Sequence, residues 1–222
     1  METRVQWSRR LRGSASDAGV LDHPFLLSVR EARAGRREII YRWARQDYFT
    51  SRDFPCILGI LVSQISDPRI RHPLVLNLWE EHGEGNFEKS HFILYCNMLE
   101  SIGLTRTIDP ELADKATIEF TECQETVARQ SLLGGLGAFC YANEYLAEKE
   151  FDPLEEAMVQ EFPTADTSFF AANREADGRH TIQTEDVIDA LVRTNDDLHE
   201  VERGALVGLQ ARVAFYDSLT VG

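Results

Sequence analysis

The stretch that decides the fold is Asn77-Leu78-Trp79-Glu80-Glu81-His82-Gly83, which His91 follows eight residues later. Residues 69–79 have an apolar face at helical spacing, and Gly83 suits the position just past a helix C-terminus. A second helix is expected to begin near Asn86, with His91 in its second turn. A carboxylate that ends one helix and an imidazole that opens the next can therefore meet at one point. Iron, manganese and zinc all suit such a pair. The alternative is that Glu80 and Glu81 are surface residues and that His91 only fills a gap in the packing.

The rest of the sequence predicts an all-α protein, because no segment alternates apolar and polar residues for long enough to form a strand. Glycines at 134, 135 and 137 predict a kink in the longest helix, or a place where something approaches its backbone closely. Residues 1–21 are expected to form a flexible arm, and residues 22–222 a single helical domain. Helices are expected over residues 24–34, 36–49, 54–65, 69–81, 87–102, 119–149, 152–162 and 167–179, from a cap at 184–186, and from 196 to 219.

Composition excludes several classes of partner. The chain has 222 residues, of which 43% are hydrophobic and 27% charged, as in ordinary soluble globular domains. Its formal net charge of −14 argues against binding to nucleic acid or to an anionic membrane. Residues 1–37 hold eight arginines and four acids, so they carry +4 and the remainder −18. This basic segment is either an arm that pairs with the acidic body or a frayed terminus.

The cysteines and the apolar runs indicate a cytoplasmic protein. Four cysteines occur without a Cys-x-x-Cys pair, which favours free thiols in a reducing compartment. The longest apolar runs, 56–62 and 132–142, are too short to span a bilayer. The N-terminal arginines are not followed by the apolar segment of a secretory signal.

Three further side chains extend the candidate metal site. Glu144 lies on a mostly apolar helix, where a carboxylate is costly unless it is paired or bound to a metal. Asp177 and His180 are three residues apart on a predicted helix, so they can hold one metal together or belong to a solvated face. With Glu81 and His91 they make a carboxylate–histidine pair, a bridging carboxylate and a second carboxylate–histidine pair. That inventory predicts a dinuclear iron or manganese site.

The chain resembles the haem-oxygenase-like diiron oxidases and oxygenases, relatives of the thiamin-salvage and pyrroloquinoline-quinone-synthase folds. The resemblance covers roughly residues 23–219. It is carried by His72-Pro73, by Asn77-Leu78-Trp79-Glu80-Glu81, by His91 before Leu99 and Gly103-Leu104, by Tyr141-x-x-Glu144, and by Phe169-Phe170 before Asp177-x-x-His180.

The resemblance implies a seven-helix core that holds two Fe(II) ions, or manganese, and uses O₂ as co-substrate. It implies that Glu144 bridges the two metals. Glu81 and His91 would hold one ion, and Asp177 and His180 the other.

Two features leave the ligand set open. Glu80 and Glu88 are rivals of Glu81 as the first carboxylate. Asn173 stands where the family usually has a histidine, so the second ion would gain at most a weak amide ligand. His23, His72, His82 and His199 are expected to be surface or capping residues.

The resemblance also implies a small-molecule substrate, namely a free amino acid or a related amine or carboxylate of specialised metabolism. The expected outcomes are N-oxygenation, oxidative C–C cleavage or nitrile formation. The glycine cluster would leave room for this substrate, with Phe139, Tyr141 and Phe170 as candidate pocket residues.

Two alternatives use no metal. One is a thiaminase-like hydrolase or cofactor-independent oxidase of the same fold, which would need a nucleophile such as Cys140. The other is a non-catalytic helical binding protein. A homodimer is compatible with all three readings.

Overall fold

The computed structural model describes residues 2–31 and 35–220, with the backbone alone for Glu175 and Asp177. Every regular element in these ranges is helical, so the all-α prediction is confirmed. The α-helices are α1 (Arg4–Asp17), α2 (Pro24–Arg30), α3 (Arg36–Gln64), α4 (Pro68–Glu81), α5 (His91–Ser101), α6 (Lys115–Gln130), α7 (Leu132–Phe139), α8 (Tyr145–Glu161), α9 (Ser168–Leu191) and α10 (Asn195–Leu219). Short 3₁₀ turns lie at Phe87–Lys89 and Pro110–Leu112, and a π turn at Cys140–Glu144.

The long helices run through predicted breaks. Helix α3 is continuous across residues 51–53 and contains Pro55. Helix α8 likewise continues past Pro153, and α9 joins the two helices expected on either side of residue 184. Thr184, read as a cap from the sequence, is fully buried in the middle of α9. Packing of an apolar face along the whole helix therefore outweighs these local stop signals.

The N-terminal segment differs from the expected flexible arm, because residues 4–17 form a packed helix. Trp7 and Leu11, four residues apart on one face of α1, are both buried. The basic side chains of α1 bind the acidic body, with Arg12 Nε 2.8 Å from Glu185 Oε1 and Arg4 paired with Asp186. The pairing alternative, not the frayed terminus, describes this segment.

The glycine cluster is a helix contact. Helix α6 ends at Gln130, and Ser131 caps α7 by accepting a hydrogen bond from Gly134 N at 2.9 Å. A Cβ on Gly137 would overlap the backbone of Val201 in α10, so the glycine lets the two helices pack closely. The predicted close approach is thus present, but the partner is α10 and not a substrate.

None of the helices in the described ranges is both long and apolar enough to cross a membrane.

Candidate metal centre

The turn between α4 and α5 brings the first carboxylate and histidine together. Glu81 is the last residue of α4, and Gly83 follows with φ +76°. A side chain on Gly83 would also overlap the backbone of Asn86, so this tight turn requires glycine. Helix α5 begins at His91 itself, later than predicted, with Ser90 at the N-cap. Glu81 Oε1 and His91 Nδ1 are then 3.0 Å apart, and both side chains are buried.

Glu144 is the last residue of the π turn and is 2% exposed. Its Oε1 accepts a hydrogen bond from Asn77 Nδ2 at 2.8 Å, so a side chain of α4 fixes its orientation. Its Oε2 lies 3.5 Å from His180 Nδ1. Isolated π turns occur frequently at functional sites, because the extra residue changes which side chains face inward.

His180 is fully buried on α9 and is held from two sides. Its Nε2 lies 2.7 Å from Glu80 Oε2, and Arg179 Nη1 donates to the other oxygen of Glu80 at 2.6 Å. Glu80 is therefore already paired with His180 and Arg179, which favours Glu81 as the proposed metal ligand. The two glutamates diverge because adjacent helical residues point about 100° apart.

The remaining candidate ligands have different positions. Asn173 is buried on α9, and its Nδ2 donates to Phe169 O at 2.7 Å, so only its oxygen can serve as a ligand. Glu88 is exposed in the 3₁₀ turn, which favours the buried Glu81 over it. Asp177 belongs to α9, but its side chain lies outside the described residues, so its role stays a prediction.

The other histidines have the expected surface or capping positions. His23 caps α2 by accepting from Phe25 N, and His72, His82 and His199 are exposed.

The carboxylates raise the pKa of both buried imidazoles. Burial by itself lowers the pKa of His91, but the charge of Glu81 raises it above the usual value. Burial acts the same way on His180, yet Glu144 and then Glu80 raise the pKa of His180 to about 9. The charges of both Glu81 and Glu144 act on both imidazoles, so the two carboxylate–histidine pairs lie close enough to influence each other. The cluster therefore favours positive charge at its centre.

The residues fit iron in their chemistry. Carboxylate oxygen and imidazole nitrogen are the donors that non-haem iron takes. The Nδ1 atoms of His91 and His180 are buried without a well-formed hydrogen bond in the described part of the chain. No three His, Cys, Asp or Glu side chains of that part are grouped closely enough to hold a metal as they stand. The structure thus brings together two pairs of donors, to which Asp177 would add a further one.

A cavity of about 80 Å³ adjoins this cluster. Its wall includes Glu81, His91, Glu144 and Asn173, whereas His180, 3.5 Å from Glu144, is not part of the wall. Five phenylalanines give the cavity an apolar side, and Asn143 and three further buried polar residues lie on its wall as well. These lining residues are Phe54, Phe92, Phe120, Phe151, Phe169, Asp47, Gln124 and Arg212.

The structure places the predicted pocket residues in the core and not on this wall. Phe139 stacks on Phe54, whose ring lines the cavity, at 4.9 Å between centroids. Phe170 packs against Trp43, and the Tyr141 hydroxyl is 3.1 Å from Glu185 Oε1. The aromatic residues that line the cavity belong instead to α3, α5, α6, α8 and α9.

Cys140 does not have the properties of a nucleophile. Its thiol is fully buried, does not line the cavity, and contacts Thr181 O at 3.7 Å. Burial, followed by the nearby Glu185 and Glu144 carboxylates, holds the pKa of Cys140 well above its usual value. A thiol in this state is not activated for attack.

Sequence reasoning missed the residues that support the site. Asn77 was part of the deciding stretch, but its bond to Glu144 joins residues 67 positions apart. Asp47, Gln124 and Arg212 are polar residues inside long amphipathic helices, where they are indistinguishable from a solvated face. Their burial depends on which helices surround them.

Fold and site together define an all-α protein with a buried carboxylate–imidazole cluster beside a small cavity. Residues 41–213 match the family model described as "Iron-containing redox enzyme", a group of haem-oxygenase-like proteins. The match covers most of the chain, so the chain belongs to this family of iron-containing oxidoreductases. The chain is also 26% identical over 204 residues to a 4-aminobenzoate synthase of Chlamydia pneumoniae, with 87% of this chain and 86% of the relative covered.

Solved structures share the fold. A CADD-like protein of unknown function from Nostoc punctiforme superposes with a TM-score of 0.81 at 13% identity, covering 97% of this chain and 96% of the other. A TenA homologue from Pseudomonas syringae gives 0.75 at 14% identity, with 96% and 92% covered. A domain with a haem-oxygenase-like fold from Shewanella denitrificans gives 0.75 at 15% identity, with 99% and 92% covered. The haem-oxygenase-like fold expected from the sequence is confirmed.

Proposed function

We propose that this chain is an O₂-dependent non-haem diiron oxidase or oxygenase that acts on a small amino acid, amine or carboxylate. The observation that carries the proposal is that two buried carboxylate–histidine pairs, Glu81 with His91 and Glu144 with His180, adjoin one cavity. Membership of an iron-containing redox family supports iron as the metal. Bound iron would supply one-electron chemistry with O₂.

Glu144 is the proposed bridge between the two ions. Its Oε2 lies 3.5 Å from His180 Nδ1, its charge raises the pKa of both imidazoles, and it is part of the cavity wall. Glu81 and His91 would hold one ion, and His180 with Asp177 the other. Asn77 keeps the Glu144 carboxylate in place, and Glu80 keeps Nδ1 of His180 directed at the cluster.

The second ion is proposed to bind less firmly than the first. Asn173 offers an amide oxygen in place of an imidazole, and its nitrogen is already bonded to Phe169 O. We expect close to one firmly held iron per chain at rest, and nearer two when substrate is present, because a substrate that prefers the two-metal state raises metal affinity by linkage.

The cavity sets the size of the substrate. A volume of about 80 Å³ and a wall of phenylalanine rings suit a small, partly apolar molecule. The name of the Chlamydia pneumoniae relative refers to a small aromatic amine with a carboxylate. That name gives the product of the relative and not its substrate. For this chain we propose an amino acid or amine as substrate, oxidised at nitrogen or at a carbon–carbon bond, in specialised metabolism.

Iron analysis and O₂ consumption test the proposal. Protein purified anaerobically and loaded with Fe(II) should bind iron, and amino acids and amines should be screened for stimulated O₂ uptake. Glu144→Ala provides the inactive control, and Glu148→Ala, an exposed glutamate one turn further on, the matched one. Absence of specific iron binding in the unaltered protein, compared with Glu144→Ala, would reject the diiron function.

A metal-free hydrolase of the same fold would need a reactive nucleophile. Cys140 is buried away from the cavity with a raised pKa, so this structure favours the oxidoreductase.

A further inference from the structure

A second group of polar side chains lines the cavity outside the proposed metal centre. Asp47 of α3, Gln124 of α6 and Arg212 of α10 all contribute to the wall, and each is less than 10% exposed. Three separate helices thus direct costly buried polar groups at the same small space. Buried polar groups normally have partners within the protein, so the partners of these three decide what the space can bind.

The charges of this group are unbalanced. Arg212 pairs with Glu150, which is fully buried, and stacks near Phe120 and Tyr216. Its single positive charge is therefore already matched by one carboxylate before Asp47 is counted. One buried carboxylate remains in excess of the cations.

Asp47 receives only neutral hydrogen-bond donors at close range. Thr50 Oγ1 donates to Asp47 Oδ1 at 2.7 Å, and Ser51 Oγ to Oδ2 at 3.3 Å. The hydroxyl of Tyr95, the cation of Arg212 and the carboxylate of Glu150 also act on it. Burial outweighs these hydroxyl bonds and raises the pKa of Asp47. A cation brought into the cavity would stabilise the carboxylate form.

Gln124 supplies an independent sign of a ligand. It is 2% exposed, yet neither its Oε1 nor its Nε2 has a hydrogen-bond partner in the described part of the chain. A buried amide without partners is destabilising, and here the amide lines the same cavity as Asp47. Its oxygen can accept a hydrogen bond from the same cation that Asp47 attracts.

We propose that Asp47 and Gln124 form the subsite that binds the protonated amino group of the substrate. This rests on the proposed function for the reaction, and it selects amines, including amino acids, over simple carboxylates and neutral molecules. The phenylalanine side of the cavity then packs against the apolar part of the molecule.

Binding of three matched four-carbon probes tests this subsite. n-Butylamine, 1-butanol and butanoate differ in head group and are chosen small because the cavity is about 80 Å³. Titration of the purified protein, followed by NMR, should show n-butylamine binding about tenfold or more tightly than 1-butanol, because an ion-paired hydrogen bond is stronger than a neutral one. Butanoate should bind more weakly than both.

Two variants separate the subsite from general charge effects. Asp47→Asn should abolish the preference for the amine, whereas Asp53→Asn should retain it. Asp53 lies on the same helix and pairs with exposed Arg52, so it is a matched control for the loss of one negative charge. Full amine preference in Asp47→Asn, or equal affinity of the unaltered protein for amine and alcohol, would overturn the subsite.

Gln124→Met keeps the test decisive if Asp47→Asn folds poorly. Gln124 has no described partner to lose, so the thermal midpoint should not fall, while the amine should bind about threefold or more weakly. Unchanged amine binding in this variant would also contradict the proposal. None of these titrations needs iron, so the amine subsite and the diiron centre can fail separately when iron content is measured on the same samples.

Discussion

The two histidines of the candidate metal centre reach it by different routes. His91 meets Glu81 across one short turn, only ten residues back along the chain. His180 meets Glu80 of α4 and Glu144 of the π turn, 100 and 36 residues away. The first pair therefore depends on the backbone of a glycine turn, and the second on the packing of three separate segments.

The Glu81–His91 pair should therefore tolerate small shifts of the helices better than the contacts of His180 do. A local pair is restored whenever its turn forms, whereas a long-range pair also needs correct helix positions. Helix α9 is held by Arg12 of α1, which binds Glu185 through two hydrogen bonds of 2.8 Å. Asn173 would be only a weak metal ligand, so the ion bound at His180 should dissociate more easily than the ion bound at Glu81 and His91.

The largest effect is expected for Glu144, the carboxylate that both proposed ions share. Glu144→Ala should abolish activity and bring iron content close to zero, because both proposed ions share this carboxylate. The helical fold should survive, because His180 keeps its contact with Glu80 and a large buried apolar core holds the helices together. Iron analysis with circular dichroism checks this, and full turnover by the variant would eliminate the diiron interpretation.

The second largest difference is expected between substitutions of the neighbouring residues Glu81 and Glu80. Glu81→Gln should cost activity severely, by about a hundredfold or more, because it removes a proposed metal ligand. Glu80→Gln should be milder, about tenfold, because it weakens only the orientation of His180. Metal titration and turnover of both variants measure the order. The reverse order would mean that Glu80 and not Glu81 binds the metal.

Asn173→His should raise the affinity for the second, more weakly bound iron. An imidazole at this buried position on the cavity wall should move the resting protein from about one towards two irons per chain. Turnover should slow where the new ligand occupies a position that substrate uses. Iron titration with and without substrate measures this, and two equally tight irons in the unaltered protein at rest would show that Asn173 is no handicap.

The smallest effect is expected in how the unfolding free energy of the metal-free protein depends on pH. The folded pKa of His180, about 9, lies above the ordinary value of 6.5, so its stabilising contribution is complete below pH 6.5 and is lost as pH rises through 9. Between these values the unaltered protein should lose on the order of 2 kcal/mol more unfolding free energy than His180→Gln.

Urea unfolding at both pH values measures this loss. His199→Gln serves as the control, because His199 is exposed and should leave the pH dependence unchanged. A His180→Gln protein that loses as much stability as the unaltered one would contradict the assigned role of the Glu144 and Glu80 carboxylates.

The sequence by itself determined the all-α class and the boundaries of α4 and α10, because apolar periodicity, caps and glycine stops are local signals. It also determined the meeting of Glu81 and His91, since a turn of this length leaves few alternatives. Apolar spacing at Trp7 and Leu11 was present as well, but its polar flanks concealed a packed helix.

Tertiary structure alone decided the rest. Whether α3 and α9 continue through local stop signals depends on the neighbours that bury their faces. The role of Glu80 became visible only once α4 lay against α9, and that of Asp47 and Gln124 only once α3 and α6 enclosed one cavity. Periodicity states which face of a helix is buried, but the partner of that face is set by contacts between residues far apart in the chain.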